Sequence, residues 1–81
     1  MNNETIKTII QRAVADFGFR QVVLYDFENI NNHIQEQEKL DEEIIESIKD
    51  ILISEMQALP IPVEPNKHEE VSSTIYNKLN L

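Results

Sequence analysis

The sequence predicts a small, mainly α-helical domain: a bundle of three or four helices, with residues 20–27 open to being a short strand instead. Two observations carry that reading. Apolar residues recur at three-and-four spacing in three separate stretches, and the apolar residues, 41% of the chain, are mostly Ile, Leu and Val, enough for a core and too many for a disordered chain. Eighty-one residues make one domain, 1–81, near the size where a single core only just offsets the entropy lost on folding.

Residues 4–17 place Ile6, Ile9, Ile10, Ala13, Val14 and Phe17 on one helical face, with Lys7, Thr8, Gln11, Arg12 and Asp16 opposite. Gly18, the only glycine, comes just after the last periodic residue. It is expected to close that helix in a left-handed C′ position, with Phe19 folding back onto Val14.

Arg20 to Phe27 supports two readings. Val22-Val23-Leu24-Tyr25-Asp26-Phe27 is rich in β-formers, yet Val23, Phe27, Ile30 and Ile34 are spaced i, i+4, i+7 and i+11, as on a helix. A strand would need a partner. The only other extended candidate, Ile61 to Val63, is flanked by prolines that cannot donate ladder hydrogen bonds, which leaves pairing across a dimer. Asn29 to Gln37 is polar and asparagine-rich, which weakens a helix without forbidding it.

The strongest element is a helix over residues 42–59. Asp41 is a good N-cap, Leu40 is placed to staple onto Ile45, and Glu42 and Glu43 sit in the first turn, where the helix dipole favours anions. On a helical wheel Ile44, Ile45, Ile48, Ile51, Leu52 and Leu59 gather on one side, while Glu43, Glu46 and Asp50 form a stripe on the other. Ile53 falls on the polar back and Met56 at the edge of the apolar sector, so cover on more than one side is expected. Pro60 ends the helix, and Pro60 to Pro65 reads as an extended connector from which Ile61 and Val63 pack onto the body. A final helix over 67–79 starts at an Asn66–Glu69 capping box and carries a narrow stripe of Val71, Ile75 and Leu79.

Charge is the most specific functional feature. Asp26 to Glu55 holds ten of the fifteen acidic residues and two of the seven basic ones, so its net charge of −8 equals that of the whole chain. Such a chain repels nucleic acid and anionic lipid, whose recognition needs clustered Lys and Arg, and its natural partners are basic proteins. The absence of cysteine fits a cytoplasmic protein, and Met1-Asn2-Asn3-Glu4 begins no signal peptide; no stretch has the apolar length to span a bilayer.

No catalytic, metal or cofactor site is expected. The carboxylates radiate from a helix and do not converge beside His or Cys, His33 and His68 lack zinc-type spacing, and Ser47 and Ser54 have no partnered base. The size and acidity are those of an acyl carrier protein, but the Asp-Ser-Leu that presents the phosphopantetheine serine in that family is absent. Val22-Val23-Leu24-Tyr25-Asp26-Phe27-Glu28-Asn29-Ile30 resembles the first strand of PIN-like nucleases of the NYN type, an apolar strand ending in Asp-x-x-Asn. The resemblance implies a divalent-metal role for Asp26. It covers nine residues, and residues 31–81 have no room for the further strands with their acidic ligands.

The sequence thus points to a non-catalytic acidic binding module or inhibitor. It would present Glu42, Glu43, Glu46 and Asp50, joined by Asp26, Glu28, Glu36 and Glu38, to a basic partner such as a nucleic-acid-binding protein, as a nucleic-acid mimic does. Phage anti-defence proteins, antitoxins and immunity proteins match it in size and charge. The alternative is an assembly protein that forms a homodimer or larger oligomer through its isoleucine combs.

Overall fold

The computed structural model describes residues 2–35 and 39–81. In order, these form α1 (Asn2–Ala15), α2 (Phe17–Asp26), a 3₁₀ segment (Phe27–Asn32), α3 (Glu42–Gln57), a 3₁₀ turn (Pro65–Lys67) and α4 (His68–Lys78). The mainly α reading holds, as a four-helix bundle, and the described residues contain no strand. Residues 20–27 are therefore helical. Their β-propensity yields to packing: Val23 in α2, Phe27 and Ile30 in the 3₁₀ segment and Ile34 just beyond it are all buried.

The first helix ends two residues before the expected boundary. Gly18 is not a left-handed cap: it lies in the first turn of α2, and the chain has no glycine with positive φ. Asp16 makes the break. It is extended, at φ −129° and ψ 110°, and its Oδ1 accepts hydrogen bonds from the Gly18 and Phe19 backbone N–H groups at 2.8 and 3.4 Å, capping α2. A Cβ on Gly18 would meet that same oxygen at 3.2 Å, so glycine here serves the close approach of the cap. Phe17, expected on the inner face of the first helix, instead opens α2 and is 43% exposed.

α1 packs against α4 and α2, α2 against α3, and α3 more lightly against α4. One core runs through all four helices: Ile6, Ile9, Ile10 and Val14 from α1, Val23 from α2, Ile45, Ile48, Leu52 and Met56 from α3, and Ile75 from α4. The radius of gyration is 11.5 Å, close to the roughly 11.7 Å of a compact chain of this length. The isoleucine combs are thus occupied within one chain.

The buried seam of α3 is rotated relative to the wheel. Ile45, Ile48, Leu52 and Met56 are its centre, while Ile51, expected inside, is 39% exposed and Ile44 and Leu59 are half-buried. Leu40 and Ile45 are both buried in the same core, as a staple requires, but Asp41 makes no side-chain cap bond. The chain entering α3 is held by Asn31, whose Nδ2 donates to the Leu40 carbonyl and whose Oδ1 accepts from the Leu40 N–H, both at 2.8 Å. α3 ends at Gln57, two residues short of 59. The connector bends at Ile61 and Pro62; Val63 is buried as expected, but Ile61 points outward and is 65% exposed. Asn66 caps nothing, because the 3₁₀ turn from Pro65 leads into α4 with Lys67 at its N-cap and no side-chain bond there.

The junction of α1, α2 and the connector is closed by Arg20. This side chain, 2% exposed, donates from Nε to the Ala13 carbonyl (3.0 Å), from Nη2 to Val14 (3.2 Å) and from Nη1 to Pro60 (3.0 Å). The first two are last-turn carbonyls of α1, where the helix dipole is negative and acceptors lack intrahelical partners. Burial lowers the Arg20 pKa from its ordinary value, yet a guanidinium stays protonated.

Candidate functional site

α3 projects its carboxylates away from the core because Ile45, Ile48, Leu52 and Met56 fix its inner face. Glu42, Glu43, Glu46 and Asp50 are all exposed, and none forms an ion pair within the described residues. From Glu43 to Asp50 the stripe runs about 10 Å along the helix axis. Glu42 with Glu46, and Glu46 with Asp50, are like-charge i,i+4 pairs, each costing about 0.2–0.5 kcal/mol of helix stability. The first-turn position of Glu42 and Glu43 offsets part of that cost, while Asp50, beyond the first turn, has no such compensation.

The 3₁₀ segment adds to this surface at one point. Glu28 and Asn29 line a shallow cleft of roughly 310 Å³ together with Glu42, Ile45 and Glu46. Glu28 is partly neutralised, with Lys49 Nζ donating to its Oε1 at 2.6 Å. Lys49 is held above the ordinary lysine value, first by that hydrogen bond and then by the charges of Glu28, Glu46 and Asp50. It is the internal counter-ion of the surface, and its place as one of two basic residues between 26 and 55 was the available signal.

Asp26 is engaged differently. Asn29 Nδ2 donates to its Oδ1 at 2.9 Å, and His33 Nε2 lies 2.8 Å from Oδ2, where the imidazole must be the donor to a carboxylate. These bonds, Asn29 first and His33 second, hold the Asp26 pKa below the usual carboxylate value. Asp26 therefore staples the 3₁₀ segment to the end of α2 and is less available to a partner than the α3 stripe. Its place in a helix end also removes the strand on which the NYN-type resemblance depended. Glu36 and Glu38 lie outside the described residues.

A depressed carboxylate pKa stabilises the fold above its unfolded value and loses that contribution as pH falls through the folded one. The expected result is that urea stability of the native chain declines below about pH 4 more steeply than that of Asp26→Asn. Parallel acid limbs would show that the Asn29 and His33 bonds carry no net stabilisation.

No family model, curated protein or solved structure matches this chain. The site is therefore read from its own geometry. Among the described residues no group of three or more His, Asp or Glu side chains is placed to hold a metal ion, and no helix is long and apolar enough to cross a membrane.

Proposed function

We propose that this chain is a non-catalytic acidic binding module or inhibitor whose α3 face engages a basic protein surface, in the manner of a nucleic-acid mimic. The observation that carries the reading is the run of exposed Glu42, Glu43, Glu46 and Asp50 along one helix, none in an ion pair among the described residues, with Glu28 bordering the same cleft as Glu42 and Glu46. A helix backbone is a rigid ruler, so the attachment points of these charges are held at fixed spacing and binding has only their side chains to order. Negative charge in excess of its one internal counter-ion, Lys49, attracts a Lys- and Arg-rich groove built for phosphates and speeds encounter with it.

The test is affinity capture from nuclease-treated lysate at about 50 mM and about 500 mM salt, between which exposed charge contacts are screened. Glu43→Lys, Glu46→Lys and Asp50→Lys combined take the net charge from −8 to −2 without touching the core. Capture of a basic nucleic-acid-binding protein is expected at the lower salt, with its dissociation constant raised by about tenfold to a thousandfold in the triple variant. Capture unchanged by the three substitutions would remove the charge-recognition reading.

A further inference from the structure

Among the carboxylates around the outer face of α3, Glu28 already holds a cation. Lys49 Nζ donates to its Oε1 at 2.6 Å, a contact that joins α3 to the 3₁₀ segment across 21 positions of chain. Lys49 is the only basic residue within α3. It also feels the charges of Glu46 and Asp50 on its own helix, and its side chain is 28% exposed against 69% for Glu28, so the ammonium is the anchored member of the pair. Glu28 is the freer one, and it borders the cleft that Glu42 and Glu46 also line.

We propose, on the reading that the α3 face engages a basic protein, that Lys49 is a competitor of that partner carried by the chain itself. Its ammonium fills the place at Glu28 that a Lys or Arg of the partner takes on binding, and so sets the affinity of the acidic face. Two effects oppose the incoming cation: the Glu28–Lys49 pair must open, and the released ammonium stays nearby and repels it. An exposed ion pair is weak, so a partner with many cations displaces Lys49 readily. A sparsely charged surface gains too little to do so, and the pair thereby sharpens the choice of partner.

The probe is a hexalysine peptide, titrated at about 50 mM salt and followed through backbone amide and lysine ammonium resonances. Amide shifts should centre on Glu28 and the outer face of α3. Lys49→Gln is expected to bind the peptide about threefold to tenfold more tightly than the native chain, the factor for losing one exposed pair and one repulsion. Lys67→Gln is the control. It makes the same change of net charge, from −8 to −9, but at an exposed position in the turn before α4, and its affinity should stay within about twofold of the native value. In the native chain the Lys49 pKa, held above the ordinary lysine value first by the Glu28 hydrogen bond, should fall towards that value as the peptide saturates. Lys49→Gln binding no more tightly than Lys67→Gln would mean that net charge alone acts, and an unmoved Lys49 pKa would mean that the pair survives binding; either result overturns the competitor role and leaves the acidic-face reading standing. Absence of peptide binding in all three chains would remove that reading and the competitor role together.

Discussion

Arg20→Ala is expected to cost about 3–5 kcal/mol, a large part of the roughly 4–12 kcal/mol available to a domain of this length. Alanine leaves the buried Ala13 and Val14 carbonyls and the part-buried Pro60 carbonyl without their donor, and it opens the joint between α1, α2 and the connector at once. Hydrogen bonds from a charged group are each worth about 1.5–3 kcal/mol, and partial relaxation or water entry keeps the total below their sum. Arg20→Lys keeps the charge, but one ammonium cannot serve acceptors that a planar fork reaches in different directions, so only part of the loss should be recovered. Urea unfolding followed by far-UV circular dichroism reads both. An alanine variant within about 0.5 kcal/mol of the native chain would show that the guanidinium does not hold this joint.

Ile48→Asp is expected to cost more than about 4 kcal/mol and leave the chain unfolded at neutral pH. Ile48 is 2% exposed in the seam of α3, and the cations of the described structure that lie near α3, Lys49 and Lys78, are both engaged at its surface by Glu28 and Glu55. A carboxylate there must be buried unpaired or protonated, and either is costly. Ile51→Asp is the informative contrast. It is a chemically identical change three residues away, and at 39% exposure it should cost no more than about 1 kcal/mol. Equal losses at the two positions in a thermal melt would mean that the seam is oriented as the simple wheel drew it.

Those paired substitutions show where periodicity stops being informative. A wheel locates an apolar sector but treats all its members alike; which flank is covered depends on neighbours. In α3, the surrounding helices and connector cover Met56 and half-cover Ile53, and leave Ile51 outside. In α2 the preference for strand was local, and the spacing of Val23, Phe27, Ile30 and Ile34 was the better guide because it counts burial partners. Arg20 extends that same spacing backwards, at i−3 from Val23 and i−7 from Phe27, so a cation in register with a buried stripe was visible as an anomaly. Its acceptors, drawn from residues 13, 14 and 60, were not.

The candidate site divides the same way. That Glu42, Glu43, Glu46 and Asp50 share the outer side of a helix is a consequence of their spacing and of the apolar residues between them. That Glu28 lies beside them paired with Lys49, and that Asp26 is tied to Asn29 and His33, required knowing how the 3₁₀ segment meets α3. The grouping of Phe17 and Tyr25 with Ile61 is wholly tertiary, since it joins residues some forty positions apart.

By itself, then, the sequence determined a helical domain, three of its four helices and the sign and place of its charge, because amphipathic spacing and ionisable residues act within a few turns of chain. Only the tertiary structure decided the state of residues 20–27, the rotation of α3, the capping of α1 by Arg20 and the faces left open. Those depend on which long-range partners satisfy buried carbonyls and apolar area, and such partners are fixed by packing among helices.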